Sequence, residues 1–156
     1  MNQSCFFIGH REAGEDVRPL LDEAVERHIA QYGVTQFIVG EHGSFDRMAA
    51  GTVLNAKQRH PGITLLLLLA YHPAEHKINL PQGFDGTYFP FETNAPPHKF
   101  AIVKANEMMI RTCDYLIAYA WHPASNARTL VEKAMRLQAK GGIHVGNLGQ
   151  DRIGNL

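Results

Sequence analysis

Short runs of apolar residues alternate with stretches of helical periodicity along most of the chain. The runs are continuous rather than alternately apolar and polar, which is typical of strands covered on both faces of a parallel sheet. Five strands are predicted from them, over residues 5–8, 37–39, 63–69, 115–119 and 143–145. The alternation of these strands with helices predicts an α/β fold, a three-layer αβα sandwich with a mostly parallel five-stranded sheet.

The intervening segments repeat apolar residues at spacings of three and four, as one face of a helix requires. The first predicted helix follows Asp16, its expected N-cap, and stops at Gly33. The other helices are predicted over residues 45–56, 98–112 and 130–137. We therefore expect one domain over residues 1–148 and a flexible, Gly- and Asn-rich tail over residues 149–156.

Residues 71–97 interrupt this pattern, since they contain five prolines, several aromatic residues and no sustained period. Irregular segments of this length in compact domains are either functional or loosely ordered. We expect residues 71–98 to cover a ligand site as a lid, with Tyr88, Phe89 or Phe91 against a bound base.

Right-handed crossovers place every strand-to-helix loop of such a sheet on the same edge, and ligands bind there near the reversal of strand order. The first of these loops contains Gly9, His10 and Arg11. A glycine lets the backbone approach a ligand, and an arginine can hold a phosphate through two parallel hydrogen bonds. The G-x-G-x-x-G spacing is absent, so a tight turn with a solvated arginine is the alternative.

The second loop reads GEHGSFD over residues 40–46. Gly40, Gly43 and Ser44 predict an anion-binding turn, because free N–H groups point outward at the start of a helix. Asp46 either caps that helix, a role equally open to Ser44, or binds a ribose hydroxyl.

The last loop and helix read HPASNARTLVE. Ser125 and Asn126 are able to cap this helix, and the Thr129 hydroxyl is able to reach a phosphate. Glu132 follows about one turn later and lies either near the ligand or in solvent. Trp121, just before this loop, either stacks on a base or covers the edge of the sheet.

Charge and composition narrow the class of protein. The 156 residues contain 15 basic and 15 acidic side chains, so no net field attracts nucleic acid or an anionic membrane. Cys5 and Cys113 lie in apolar segments, and no signal peptide or spanning run is recognised, so a cytoplasmic location is predicted. The nine histidines form no H-E-x-x-H motif, so we expect neither a metal nor a cofactor.

Four segments in this order, FxGHR, GxxGSFDRMA, KANEMMIRTCDYLIAY and HPASNARTLVEKA, resemble the SLOG superfamily of Rossmann-like proteins. That superfamily includes the DNA-processing DprA/Smf proteins and the LOG phosphoribohydrolases. The likeness runs from Cys5 to Leu148 and is closest to a branch of small bacterial proteins with YpsA-like members. It implies a Rossmann-like fold and a nucleotide or nucleotide-derived ligand across the strand ends.

LOG enzymes cleave an N-glycosidic bond with a PGGxGTxxE segment, and the resemblance places Thr129 and Glu132 on its threonine and glutamate. Its glycines are replaced here, and Ala105 stands at the position of the LOG arginine. Asn106 matches an asparagine of other members. Glu132 is thus the candidate catalytic residue of an alternative function, hydrolysis of nucleoside monophosphates, against which the missing arginine argues.

The sequence therefore predicts a sensor or binding protein for a nucleotide-like small molecule. Binding of single-stranded DNA is less favoured, because the neutral chain has no basic stripe interleaved with aromatic residues. Pairing of two copies through a helical face is consistent with a Rossmann-like domain of this size. The predicted ligand-binding residues are Gly9, His10, Arg11, Gly40, Gly43, Ser44, Asp46, Asn106, Ser125, Asn126 and Thr129.

Overall fold

The computed structural model of the chain describes residues 3–92 and 95–153. Among these residues, one sheet contains the strands β1 (Gln3–Gly9), β2 (Val34–Val39), β3 (Thr64–Leu68), β4 (Gly86–Tyr88), β5 (Tyr115–Tyr119) and β6 (His144–Asn147). The α-helices are α1 (Arg18–Ala30), α2 (Ser44–Arg59), α3 (Ala101–Thr112), α4 (Asn126–Ala139) and α5 (Gln150–Ile153).

All neighbouring strands are parallel, and their order across the sheet is β4-β3-β2-β1-β5-β6. The chain builds the sheet outward from β1 to β4 and then returns to the other side of β1 with β5. The strand order therefore reverses between β1 and β5, which is where ligands bind in sheets of this kind. The predicted Rossmann-like α/β fold is confirmed, with six parallel strands in the described residues instead of the five expected.

The additional strand, β4, lies inside the segment that was predicted to be irregular. Its three residues are too few to show a pattern, and it forms because residues 86–88 pair with residues 66–68 at the edge of β3. Asp85, which directly precedes β4, holds that strand beside β3. Its carboxylate accepts hydrogen bonds from the backbone N–H of Leu65 at 2.8 Å and from the ammonium group of Lys57 at 2.6 Å.

The entry into α1 differs from the prediction that Asp16 is the N-cap. A 3-10 turn, Glu15–Val17, precedes the helix, and Val17 is the N-cap residue, with no side-chain hydrogen bond. Asp16 lies inside the turn and is therefore too early in the chain to accept from the first amides of α1.

Alternate residues of the central strands face opposite helical layers. On β1, Cys5 and Phe7 pack with α1 and α2, whereas Phe6 and Ile8 pack with α3 and α4. Both faces of the strand are buried, which explains why its sequence is apolar without alternation. At the start of β1, the backbone N–H of Ser4 donates to the Asp114 carboxylate, 110 positions away in sequence, at 2.9 Å.

Both cysteines are buried free thiols. Burial raises the pKa of Cys5 and raises that of Cys113 to about 11, so neither side chain is a ready thiolate nucleophile. Within residues 3–92 and 95–153, no helix has the length and apolarity needed to cross a bilayer.

The short helix α5 forms in the segment predicted to be a flexible tail, of which residues 154–156 lie outside the described residues. Arg152 of α5 donates a hydrogen bond to the Tyr119 hydroxyl at 2.5 Å. Its guanidinium also lies over the Trp121 ring, 4.1 Å from the centroid, which favours a cation–π contact. These contacts join α5 to the carboxyl end of β5.

Gly9 ends β1 where the first turn of α2 packs against the sheet. A Cβ atom at this position would lie 2.2 Å from the Phe45 ring, which is fully buried. Glycine is needed here because strand and helix are in contact, and not because the backbone adopts a positive φ.

Gly9→Ala is expected to lower the free energy of unfolding by about 1–3 kcal/mol, the usual cost of overpacking a core. Gly62→Ala is the matched control, because its added Cβ meets no atom within 4 Å. We expect the control to change stability by less than about 1 kcal/mol. Urea unfolding followed by circular dichroism measures both variants, and equal stabilities would contradict the contact.

Candidate functional site

A cavity of about 400 Å³ opens at the carboxyl end of β1, beside the reversal of strand order. Its volume lies in the range of small-molecule sites. The loops after β1 (residues 10–14), β2 (residues 40–43) and β5 (residues 120–125) meet here; we call them the β1, β2 and β5 loops. Together with the end of β1 and the helices α2, α3 and α4, they bring most of the predicted ligand-binding residues to the cavity: Gly9, His10, Arg11, Gly40, Asp46, Asn106, Ser125 and Asn126.

The β1 and β2 loops are interlocked. The backbone N–H of Ser44 donates to the Arg11 carbonyl at 2.9 Å, and its hydroxyl donates to the Ala13 carbonyl at 2.6 Å. Gly43 has a φ of 141°, and a Cβ there would lie 2.5 Å from the Arg11 Cα. Gly43 and Ser44 therefore hold the β1 loop in place. Both were predicted to bind the ligand, but neither lines the cavity.

The predicted capping of α2 by Ser44 or Asp46 is wrong. Gly43 is the N-cap residue and no side chain caps the helix. Asp46 accepts a hydrogen bond from the backbone N–H of His42 at 3.0 Å, within the preceding loop, and it lines the cavity. Burial raises the pKa of the Asp46 carboxyl, opposed by the His42 hydrogen bond and by the positive charge of Arg11.

His10 joins the β1 loop to the β5 loop. Its Nε2 atom accepts hydrogen bonds from two consecutive backbone N–H groups, those of Trp121 at 3.0 Å and His122 at 3.3 Å. The His10 backbone N–H donates to the Tyr119 carbonyl at 3.2 Å. Since Nε2 is an acceptor, the ring is neutral with its proton on Nδ1.

The surroundings of His10 favour this neutral form. Its pKa lies below the ordinary value of 6.5, first because the ring is partly desolvated and then because His122 and Arg152 are nearby. A protonated ring would point an Nε2–H group at two N–H donors. The role of His10 at the cavity is therefore to hold the β5 loop in position beside the β1 loop.

The first turn of α4 forms one wall of the cavity through Ser125, Asn126 and Ala127. Ser125 is the N-cap residue, as the sequence allowed, and its hydroxyl accepts from the Arg128 N–H at 3.0 Å. The first amides of a helix have no partner inside the helix and favour an anion. This wall is therefore suited to a phosphate group.

Two predicted residues of α4 do not line the cavity. The Thr129 hydroxyl donates to the Ser125 carbonyl at 3.3 Å. The Glu132 carboxylate pairs with the Arg128 guanidinium at 3.1 Å, and its side chain is 52% exposed. Both side chains thus belong to the outer surface of the helix.

Helix α3 supplies cavity residues that sequence reasoning missed, namely Lys99 just before the helix and Ile102 and Val103 within it. Asn106 was predicted from the resemblance alone, and nothing in the sequence indicated that its neighbours on the same face of α3 line a cavity. Ala105, the position of the LOG arginine, is fully buried in the core between α3 and the sheet.

The predicted lid does not reach the cavity through its aromatic residues. Tyr88 lies on β4, and neither it nor Phe89 nor Phe91 lines the cavity. Phe91 packs against the core, with its ring 5.5 Å from that of Phe89. Residues 93 and 94 of this segment lie outside the described residues.

Within the described part of the chain, no three His, Cys, Asp or Glu side chains converge on a point that could hold a metal ion. The polar groups that line the cavity are the Arg11 guanidinium, the Lys99 ammonium, the Asp46 carboxyl, and amide, imidazole and hydroxyl groups, beside the backbone N–H groups of the first turn of α4. These groups bind phosphates and the polar edges of nucleosides.

The structure is thus a Rossmann-like α/β fold with a cavity at the reversal of strand order. No protein-family model matches the chain, and no curated protein matches it. Its fold is similar to that of DNA processing protein A (DprA) from Streptococcus pneumoniae, with a TM-score of 0.63 and 13% identity over 96% of this chain. The chain spans 60% of the length of that protein.

DNA processing protein A from Helicobacter pylori has a similar fold, with a TM-score of 0.56 and 17% identity. The match covers 98% of this chain and 79% of the other. The structure of the Helicobacter protein concerns its binding of single-stranded DNA. At these identities the likeness establishes the shared fold.

His10→Ala is expected to lower the free energy of unfolding by about 1–3 kcal/mol at pH 7.5, because two backbone N–H groups lose their acceptor. The pKa of His10 is below 6.5 in the folded state, so its stabilisation is complete above 6.5 and is lost as pH falls through the folded pKa. The difference between wild type and variant should therefore shrink toward pH 5.

Urea unfolding of both proteins between pH 5 and 8 measures this difference. His28 also has a lowered pKa, but it is present in both proteins and cancels. A stability difference that is constant across this range would show that neutral His10 does not hold the β5 loop.

Proposed function

We propose that the protein binds a nucleotide or nucleotide-derived phosphorylated ligand in the cavity at the carboxyl end of β1. The observation that carries this proposal is the convergence of Arg11, Lys99 and the first turn of α4 on one small-molecule cavity. Two cationic side chains and a helix N-terminus favour an anion.

The rest of the cavity suits a nucleoside. Asp46 and Asn106 offer a carboxyl and an amide for hydroxyl or base-edge hydrogen bonds. Ile102, Val103 and Leu130 form an apolar wall against which a base can be desolvated. The division into a cationic part and an apolar part matches a phosphate linked to a base through a sugar.

The hydrolase alternative draws no support from Glu132, which pairs with Arg128 outside the cavity. Among the described residues that line the cavity, Asp46 alone carries a carboxyl group. Its raised pKa would suit an acid, but a buried Ala105 leaves no cation at the LOG arginine position. We therefore propose binding without hydrolysis.

Binding of single-stranded DNA is the second candidate. The Helicobacter protein of similar fold binds single-stranded DNA, and here Phe100, which follows the cavity residue Lys99 in sequence, is 49% exposed. Lys99 lies over that ring, with its Nζ atom 5.0 Å from the centroid. A cation beside an exposed aromatic ring is a feature of single-strand sites.

Isothermal titration with nucleoside 5′-monophosphates tests the proposal, with the corresponding nucleosides as the probe for phosphate dependence. Arg11→Gln and Lys99→Met should each weaken monophosphate binding about tenfold, because each removes a charge-assisted contact. Arg111→Gln, an exposed arginine at the far end of α3, is the control and should bind like wild type.

Absence of binding across the monophosphate panel would overturn the proposal. Tight binding of an oligonucleotide that falls steeply with salt, without monophosphate binding, would instead select the second candidate.

A further inference from the structure

A second cavity, of about 390 Å³, lies on the other side of the β1 loop. It is bounded by that loop, the β5 loop and Arg152 of α5. We call it the outer cavity, and the cavity of the preceding subsections the inner cavity. The two share three lining residues, His10, Arg11 and Ser125.

The two cavities differ in charge. The inner cavity holds Arg11 and Lys99 with a single carboxyl group from Asp46. The outer cavity holds Arg11 and Arg152, balanced by the carboxylates of Glu12 and Asp16. Carboxylates repel a phosphate but accept hydrogen bonds from sugar hydroxyls and base amino groups.

The outer cavity also has an aromatic wall. Trp121 lines it, and the Arg152 guanidinium lies over the indole ring, 4.1 Å from its centroid. Indole rings and guanidinium groups are both surfaces on which nucleobases stack. The outer cavity thus has groups for a sugar and a base, while the excess of positive charge lies at the shared residues and in the inner cavity.

We propose that the ligand is two-ended: two nucleosides joined through phosphate, with one nucleoside in each cavity and the linking phosphate at Arg11 and the first turn of α4. This inference rests on the proposed function and names the class of its ligand. Either a free dinucleotide or a two-nucleotide segment of a longer strand has this chemistry.

Titration calorimetry compares a nucleoside 5′-monophosphate with two linked ligands, a pyrophosphate-bridged dinucleotide and a 3′–5′ dinucleoside monophosphate. At least one linked ligand should bind about tenfold or more tightly than the monophosphate, because its second half binds at high effective concentration. A preference for the pyrophosphate bridge identifies a free dinucleotide, and the opposite preference identifies a strand segment.

Trp121→Ala should abolish this gain and leave monophosphate affinity within about twofold, since Trp121 lines the outer cavity alone. Trp121 packs partly against the core, so a double variant, Glu12→Gln with Asp16→Asn, tests the same cavity through exposed side chains. It should lower affinity for the linked ligand several-fold without changing monophosphate affinity. Tyr88→Ala, an exposed aromatic residue on β4, is the matched control.

Equal affinities for monophosphate and linked ligands would overturn the two-ended ligand and leave the proposed function intact. A gain that survives both outer-cavity variants would also overturn it. Binding of neither kind of ligand would overturn the proposed function and this inference together.

Discussion

The cavity depends on the fixation of the β1 loop from both sides. Toward β2, Ser44 donates two hydrogen bonds to its carbonyls. Toward β5, His10 accepts two hydrogen bonds from consecutive amides. This arrangement is possible because β1 lies inside the sheet, where its carboxyl end has a neighbouring loop on each side.

A phosphate site without a glycine-rich fingerprint needs other means of presenting positive charge. Here two glycines allow protein elements to meet: Gly9 at the end of β1 contacts Phe45, and Gly43 of the β2 loop contacts Arg11. In a Rossmann fingerprint the backbone of the glycine-rich loop approaches pyrophosphate. Here the backbone at Gly9 and Gly43 is instead packed against other residues of the protein. The positive charge at the cavity comes from Arg11, Lys99 and the first turn of α4, so under the proposed function affinity would depend more strongly on individual cations than in a glycine-cradled site.

The layered fold could be predicted from sequence because both faces of its strands are buried. The apolar runs on β1 and β5 are not interrupted by polar residues, so they are recognised as buried strands from the sequence alone. Strand β4 escaped prediction because it depends on the free edge of β3 and on Asp85, neither of which is visible in its own three residues.

The part of the candidate site that could be predicted from sequence is the part built by loops that the strand topology brings to one edge of the sheet. Residues at the ends of β1 and β5 followed from the common edge, whereas Lys99 lies just before α3 and reaches the cavity only because that helix packs against the sheet. Glu132 was assigned from a motif, but its place in the helical period of α4 puts it on the outer surface, where it pairs with Arg128. Periodicity identifies the buried face of a helix more readily than the polar side that faces a ligand.

The pairing of β1 with β5 also fixes when the site can appear during synthesis. Ser4 and Asp114 are 110 positions apart, so the first strand leaves the ribosome long before the partner that completes its loop. A nascent chain that ends after β3 carries the β1 and β2 loops but lacks the α4 wall. Because closing so long a loop is slow and entropically costly, the cavity should be completed among the last steps of folding.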